Sequence, residues 1–380
     1  MRKLFYPSFF RIFLAAITLS VIPAGEMFSQ VDIRLFADKT PESAVFTVVS
    51  GEFEVKDFSG NIWLIKAGTP VVVSKFRERL AVKVMYDNAI ACDSVLFTGI
   101  TGKDLFYLRI MGQNVPRNIY CGSLKCIPDM TTLVMINTCD IESYVAGVVK
   151  AEGGSGKHPE FYRTQSVIAR TYMYRYLGKH TADHFNLCDN THCQVYRGVT
   201  TDSAIIRAAL DTRGEVIFGP DSLPVIAAFH SNCGGETSAS EDVWLTPQPY
   251  LRRVTDPHCS SGRNAVWQVT KSLQEWKSYL GKAGFTGDDA LLNYSQLKRS
   301  EDYAVGNIRI PFRQVRSDFN LRSTFFSVSV KGDSVLLMGR GYGHGVGLCQ
   351  EGAMVMAAKG FNYRQIIGFY YTGVTVRTIP

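Results

Sequence analysis

The hydrophobic pattern of the chain changes near residue 139, and this change constrains the fold more than any other feature. From Val31 to about Asn137, apolar residues occur in short or alternating runs separated by Gly, Asp and Pro, a pattern typical of β-strands. From Cys139 to Gly214, apolar residues recur at helical spacing instead. Shorter helical and strand-like patterns alternate in the rest of the chain. The sequence therefore predicts an α+β fold, with a strand-rich N-terminal region followed by a mixed core and a small inserted lobe.

The N-terminal segment has the layout of a secretory signal peptide. Arg2, Lys3 and Arg11 precede an apolar run at 12–22, and small residues follow it. The run is short for a membrane span, and no later stretch is longer. We therefore expect a protein exported to the periplasm or cell envelope, without a membrane span after signal removal. The expected regions are a signal peptide at 1–29, a strand-rich region at 30–132 and a core domain at 133–380, with the inserted lobe at about 260–338.

Charge and cysteine content narrow the class of protein. The formal net charge is +7, and the chain has no dense Lys/Arg run or nucleic-acid motif, so we expect no nucleic-acid partner. Nine cysteines in an exported protein favour disulfides or a metal. Two pairs of cysteines are close enough in sequence to form disulfides, one around a short loop and one around a longer loop, and the others are expected to be small buried side chains. The candidate pairs are Cys121 with Cys126 and Cys233 with Cys259; the remaining three outside the cluster described below are Cys92, Cys139 and Cys349.

Glu152 is the first candidate catalytic residue. An amphipathic helix is predicted to begin at Ile141, and Gly153 and Gly154 end its apolar pattern. Glu152 then lies at the negative end of the helix dipole, where a negative neighbourhood raises a carboxyl pKa. Such a carboxyl suits a general acid, although a glutamate at a helix end is more often an ordinary surface acid. Pro159 is predicted to open a second helix.

A compact group of His184, Cys188, His192 and Cys193 follows the second helix. Four His and Cys side chains this close in sequence suit a tetrahedral zinc ion. The alternative is a disulfide between the two cysteines. A zinc site closed by four protein ligands is usually structural. It would fix the loop that carries Gln194 and Tyr196.

Two later segments carry further candidates. The segment AAFHSNCGGETS places His230 and Ser231 in a polar loop at a strand end, but it lacks a nucleophile elbow, which disfavours a Ser-His hydrolase. The glycine-rich segment at Gly339–Gly347 includes His344 and precedes Gln350. It is not a phosphate loop, because it lacks the Gly-Lys-Ser/Thr ending.

Several of these segments together resemble the stage II sporulation protein D / LytB-type family. They are YVAGVVKAE, TQSVIARTY, CQVYRG, AAFHSNCGGETS and GRGYGHGVGLCQEGA, and the resemblance runs roughly from Leu133 to Val376. Characterised members are lytic transglycosylases of bacterial cell-wall glycan. One departure is the loop after Glu152, where GGSGKHPEF replaces the Met-Pro and Trp-Pro pairs typical of relatives.

The resemblance implies a specific activity. Glu152 would be the single acid/base of a peptidoglycan lytic transglycosylase that forms anhydromuramic ends on peptide-stripped strands. It also favours zinc over the disulfide, requires no organic cofactor, and makes an N-acetylmuramoyl-L-alanine amidase a natural partner. The expected substrate-binding residues are Gln165, Arg170, Gln194, Tyr196, His230, Ser231, His344 and Gln350.

Two other functions stay open at this point. LytB-type relatives are also known as amidase enhancers, so the protein is alternatively a non-catalytic peptidoglycan-binding protein. A zinc hydrolase is the second alternative, but its four ligand positions are all filled and it leaves Glu152 without a role.

Overall fold

The computed structural model describes residues 29–244 and 246–379. The predicted signal peptide at 1–29 lies outside this part of the chain except for Ser29. Among the residues described, no helix has both the length and the hydropathy that a membrane-spanning segment requires.

The strand-rich region folds as predicted into β-strands alone, up to the first helix. Its strands form two antiparallel sheets, to the larger of which one later strand is added. The strands are β1 (Gln30–Leu35), β2 (Ser43–Ser50), β3 (Glu52–Lys56), β4 (Ile62–Lys66), β5 (Pro70–Phe76), β6 (Arg79–Val84), β7 (Ile90–Cys92), β8 (Val95–Gly99), β9 (Leu105–Ile110), β10 (Ile119–Cys121), β11 (Ser123–Pro128) and β12 (Leu133–Asp140).

Helices dominate the middle of the chain, and short strands and helices alternate after it, so the predicted α+β class is confirmed. Pro159 is the first residue of the second helix, as its sequence position predicts. The elements are α1 (Ile141–Gly153), α2 (Pro159–Tyr176), β13 (Leu187–Cys188), α3 (Ser203–Asp211), β14 (Glu215–Phe218), β15 (Phe229–His230), α4 (Glu241–Trp244), β16 (Val266–Ser272), α5 (Leu273–Lys282), β17 (Asp302–Val305), β18 (Ile308–Pro311), α6 (Phe312–Asp318), β19 (Phe326–Lys331), β20 (Ser334–Arg340), β21 (Leu348–Cys349), α7 (Gln350–Ala358), α8 (Tyr363–Tyr370) and β22 (Thr375–Thr378), with short 3-10 helices at Thr181–Asp183 and Asp289–Leu292.

The two large sheets share an aromatic core. Their strand orders are β13-β1-β12-β11-β8-β3-β4 and β10-β9-β2-β5-β6-β7. Phe46 of the second sheet stacks on Phe97 of the first, with ring centroids 4.2 Å apart, and meets Phe53 edge-on at 5.2 Å. Side chains of strands alternate between faces, so the apolar face of each sheet is buried against the other.

Strand β12 joins the sheets to the helices. It lies between β1 and β11 and runs directly into α1. Its last residue, Asp140, caps that helix by accepting a hydrogen bond from the Ser143 N–H at 3.0 Å. Strand β13 extends the same sheet by pairing in parallel with β1, which places Arg34 opposite Cys188.

A buried ion pair joins α1 to α2. The Arg170 guanidinium donates from Nε to Glu142 Oε1 at 3.0 Å and from Nη2 to Glu142 Oε2. It also donates to the carbonyl oxygens of Ala209 and Glu215, which follow on α3 and β14. The charge of Arg170 is therefore neutralised by Glu142, and most of its N–H donors have hydrogen-bond acceptors inside the helical core.

Residues 266–340 build a lobe with a hydrophobic core of its own. Strands β16, β20 and β19 form its sheet, and α5 and α6 pack on it. Trp276 of α5 is completely buried at the centre of this cluster. Most of the other buried apolar residues, from both the N-terminal sheets and the helices, belong to one larger cluster.

All nine cysteines lie within the residues that the structure describes, and none of them forms a disulfide. The expected Cys121–Cys126 bridge is absent because Cys121 ends β10 in one sheet, whereas Cys126 lies in β11 of the other. Cys92 and Cys139 are completely buried in the core, as predicted.

Candidate active site

Glu152 lies in the last turn of α1, as predicted, and its side chain is partly buried. Its Oε1 accepts a hydrogen bond from the Val195 N–H at 3.0 Å. Burial raises the pKa of Glu152, while the Val195 N–H and the charge of Arg197 act in the opposite direction. The sequence pointed to the helix dipole as the cause of a raised pKa; in the structure the main cause is loss of solvent.

A cleft of about 460 Å³ opens beside this carboxyl. It brings Glu152 together with two of the predicted binding residues, Ser231 and Gln350, and the Gln350 Nε2 donates to the Glu152 carbonyl oxygen at 3.4 Å. Two cations, Lys157 and Arg263, also line it. The full lining consists of Glu152, Gly153, Lys157, Ser231, Ser261, Gly262, Arg263, Asn264, Gln350, Glu351, Met354 and Val355.

Glu351 is a second carboxylate in the cleft, and sequence reasoning did not select it. Its Oε2 accepts from Asn232 Nδ2 and its Oε1 from Asn264 Nδ2, each at 2.7 Å. Its backbone N–H donates to the Ser231 carbonyl oxygen at 3.0 Å. These contacts fix the carboxylate in the wall of the cleft. The only signal in the sequence was its position directly after Gln350.

Four predicted binding residues lie in the core instead of the cleft. Arg170 and Tyr196 are completely buried, the first in its ion pair and the second against Tyr144 and Cys139. Gln165 is also completely buried, and Gln194 donates to the Tyr144 hydroxyl and the Ala169 carbonyl oxygen, both at 3.2 Å. The expectation that these side chains contact substrate is corrected, because burial leaves no face of them open to a ligand.

His230 and His344 form a pair outside the set of residues that line the cleft. Their ring centroids are 5.5 Å apart, and Trp244 lies 5.6 Å from His344. His230 Nδ1 hydrogen-bonds the Val346 carbonyl oxygen at 3.1 Å, and His344 Nδ1 accepts from the Val346 N–H at 3.0 Å. Burial lowers the pKa of His344 to about 4 and that of His230 well below its usual range, so both rings are neutral at pH 7. Neither ring lines the cleft beside Glu152: His230 is the last residue of β15, and His344 lies in the glycine-rich loop.

The His/Cys cluster forms with one change of membership. Cys188, His192 and Cys193 come together with His180, and the ligand atoms of all four lie within 4.8 Å of one another. His184 is exposed, with a left-handed φ of 63° at the end of the 3-10 turn, and does not join them. The prediction of His184 as a ligand is therefore corrected, because the turn at Thr181–Asp183 brings His180 back toward the cysteines.

The corrected cluster fits a tetrahedral zinc ion. Cys188 Sγ lies 3.5 Å from His192 Nδ1, and Cys193 Sγ lies 3.5 Å from His180 Nε2 and 3.9 Å from His192 Nδ1. Ligands about 2.0 to 2.3 Å from zinc stand roughly 3.3 to 3.8 Å apart at the corners of a tetrahedron. The four side chains thus have the spacing that a closed zinc site needs.

This cluster adjoins the residue that contacts Glu152. Val195, which donates to the carboxyl, is two residues beyond Cys193. The preceding strand β13 is fastened to β1, and Asp189 accepts from the N–H groups of Phe36 and Ala37 at 2.7 and 3.1 Å. The loop that orients Glu152 is therefore tied to the N-terminal strand on one side and to the His/Cys cluster on the other.

Comparison with known proteins places this region in a family. Residues 129–218, which include α1, Glu152, α2 and the His/Cys cluster, match the family model described as Stage II sporulation protein. Stage II sporulation protein D of Bacillus amyloliquefaciens is 28% identical over 260 residues, covering 63% of this chain and 75% of that protein. An uncharacterised protein of Brachyspira hyodysenteriae is 28% identical over 359 residues, covering 89% and 91%.

A third relative is the amidase enhancer of Bacillus subtilis (strain 168). It is 26% identical over 292 residues, which cover 60% of this chain and 40% of that protein. The chain thus carries a stage II sporulation protein domain and is homologous to stage II sporulation protein D and to the amidase enhancer.

Proposed function

We propose that the protein is a lytic transglycosylase that cleaves the glycan strand of peptidoglycan in the periplasm or cell envelope. The observation that carries this proposal is a partly buried carboxyl, Glu152, with a raised pKa beside an open cleft. A group that must give a proton near neutral pH needs such a pKa. The family match over 129–218 supports the same reading.

Glu152 acts first as an acid and then as a base. Because the Val195 N–H occupies Oε1, Oε2 is the oxygen that carries the transferable proton. That proton passes to the glycosidic oxygen as the bond from muramic acid C1 to this oxygen breaks. The carboxylate then takes the proton of the muramic acid 6-hydroxyl as O6 bonds to C1. The product is an anhydro ring, and no water is consumed.

The charge of the cleft favours glycan without stem peptides. Removing the peptide from muramic acid leaves a free lactyl carboxylate on each such sugar. Lys157 and Arg263 line the cleft beside the two glutamates and supply positive charge for these groups. We infer that an amidase, which exposes the carboxylates, is a working partner.

We further propose that His180, Cys188, His192 and Cys193 bind a structural zinc ion. When bound, the ion would cross-link the loop that follows the second helix, and with four protein ligands it has no open position for a substrate. Its effect on the reaction is to keep the Val195 N–H in place against Glu152.

A second candidate function is glycan hydrolysis, favoured by the presence of Glu351 in the same cleft. A pair of carboxylates, one acid and one base or nucleophile, is the usual arrangement of glycosidases. A third is a non-catalytic role in which the protein binds peptidoglycan and enhances an amidase, the function for which one relative is named.

Mass spectrometry of glycan products separates these functions. The chain from residue 30 would be incubated with peptide-stripped and intact peptidoglycan, beside Glu152→Gln and Glu351→Gln variants. Anhydromuramic ends, lost at least about 100-fold in Glu152→Gln, are the expected result. Reducing ends lost in both variants would establish a hydrolase. Binding with no new ends would leave the non-catalytic role.

A further inference from the structure

A second group of metal-ligating side chains lies inside the main core, away from the His/Cys cluster. It consists of Cys233, Asp256, Cys259 and Cys349, whose ligand atoms all lie within 4.8 Å of one another. Each of the four residues is at most 1% exposed. The sequence suggested Cys233 and Cys259 as a pair but gave no indication that Asp256 and Cys349 join them.

The distances suit coordination. Cys233 Sγ lies 3.3 Å from Cys259 Sγ and 3.3 Å from Asp256 Oδ2. Ligands of one tetrahedral zinc ion stand roughly 3.3 to 3.8 Å apart, as calculated from metal–ligand bonds of about 2.0 to 2.3 Å. These separations are close to the tetrahedral range.

The surroundings are arranged for negatively charged sulfur and oxygen. Cys349 Sγ accepts from the N–H groups of Cys233 and Gly352 at 3.3 and 3.4 Å, and Cys259 Sγ accepts from the Gly235 N–H at 3.2 Å. The Asp256 carboxylate is held by the Tyr370 hydroxyl at 2.9 Å and by the His258 N–H at 2.8 Å. Outer hydrogen bonds of this kind orient metal ligands.

We propose that these four residues bind a second structural zinc ion. Among the residues that the structure describes, Asp256 has no ion pair with Lys or Arg, and a carboxylate that is ionised when buried requires a cation nearby. A Cys233–Cys259 disulfide would join two sulfurs but leave Cys349 and the carboxylate with hydrogen bonds alone and no cation. One divalent thiophilic cation satisfies all four groups. Arg299, which donates to the Cys233 carbonyl oxygen at 2.6 Å, reduces the remaining negative charge.

The site would support the wall of the cleft. Three of its ligands are close in sequence to cleft residues: Cys233 follows Ser231, Cys259 precedes Ser261, and Cys349 precedes Gln350. Asn232, next to Cys233, holds Glu351 and also donates to the Cys259 carbonyl oxygen at 2.9 Å. The ion would therefore cross-link three segments that already meet through hydrogen bonds and core packing.

Zinc content measured by elemental mass spectrometry on the chain from residue 30 tests the proposal. The deciding sample is His192→Ala, in which the first cluster is broken. We expect it to retain one equivalent of zinc, and the His192→Ala, Cys349→Ser double variant to retain none. Cys92→Ser in the His192→Ala background is the matched control, since Cys92 is equally buried but outside both clusters. This control protein should retain its one equivalent of zinc.

A second measurement covers the case in which Cys349→Ser fails to fold. The His192→Ala protein is denatured with chelator, without reductant, and its reactive thiols are counted by mass. All nine cysteines should react if the second group binds metal. A count two lower, with no zinc in the His192→Ala protein, would overturn the proposal in favour of a disulfide. Absence of zinc with all thiols reactive would overturn it as well.

Discussion

At the scale of single residues, Glu152 combines two properties that the sequence does not reveal together. Its carboxyl is partly removed from water, yet it faces an open cleft and is fixed through Oε1. The free energy that raises its pKa also opposes folding whenever the group is ionised. The proposed activity and the stability of the protein would therefore depend on the same carboxyl.

The pH dependence of stability tests this link. Because its pKa is raised in the folded state, the folded protein binds the Glu152 proton more tightly than the unfolded chain does. Stability is thus lost as pH rises from the unfolded value, about 4.3, through the folded value. We expect Glu152→Gln to unfold at a higher temperature than the unmodified protein at pH 7, with the difference disappearing near about pH 4.

The control for this measurement is Glu78→Gln, which changes an exposed glutamate in the turn between β5 and β6. Its unfolding temperature should follow that of the unmodified protein at both pH values. A Glu152→Gln difference that is the same in acid and at neutral pH would show that burial of the charge is not its cause.

A second prediction for single residues concerns how the cleft recognises the charge of the substrate. Replacing Lys157 or Arg263 with alanine should raise KM for peptide-stripped glycan about twofold to fivefold each, the range of an exposed ion pair. The effect should shrink at high salt and be absent with intact peptidoglycan, in which the lactyl carboxylates are amidated. Lys103→Ala, an exposed lysine in a turn of the strand-rich region, is the control. Equal effects on both substrates would contradict the proposed contact.

At the scale of elements, the buried ion pair decides how α1 and α2 meet. Arg170→Met leaves the Glu142 carboxylate buried without its partner and should destabilise the protein by about 3 to 5 kcal/mol. The double variant Glu142→Gln, Arg170→Met removes both charges and should recover most of that loss. Urea unfolding measures both. A double variant no more stable than Arg170→Met alone would mean that packing, and not the charge, is what matters.

The loop between α2 and β13 contains two histidines, His180 and His184, and replacing each in turn tests the zinc site. His180→Ala should cost one equivalent of zinc, whereas His184→Ala should cost none, because only His180 lies with the two cysteines. The His180→Ala protein should also lose activity, since the Val195 N–H is no longer held against Glu152. If His184→Ala lost the zinc instead, the ligand set predicted from the sequence would be the correct one.

The elements were more predictable than the residues they carry. Periodicity, Pro159 and the glycines after Glu152 were enough for α1 and α2, because these signals are local. Which side of α2 is buried is not local, and so Arg170 was misassigned to the cleft. The exchange of His184 for His180 depends on a single turn. Glu351 acquires its place from Asn232 and Asn264, more than eighty residues away.

At the scale of the whole molecule, the strand-rich region and the helices share one hydrophobic core. Both neighbours of β12, β1 and β11, belong to the N-terminal region. A chain that begins at residue 133 would expose both edges of β12, and exposed edges promote aggregation. It would also lose the partner of β13. We expect such a fragment to be insoluble or to lack a cooperative unfolding transition, unlike the chain from residue 30. A soluble monomer that unfolds cooperatively would show that the two regions are separable.

The position of β1 has a consequence for how the protein is made. It is the first strand of the described fold to be synthesised, but its partners are residues 135–140 and 187–188. More than half of the strands in the larger sheet can pair before either neighbour of β1 has been synthesised. Contacts between such distant segments form slowly, because the entropy of closing the loop is lost before any contact is gained. The strand that anchors the loop beside Glu152 is thus the earliest strand of the described fold to be made and among the last to be fixed. Until that closure, the proposed catalytic carboxyl of Glu152 has no fixed Val195 N–H, so we expect a newly made molecule to become active only when β1 is in place.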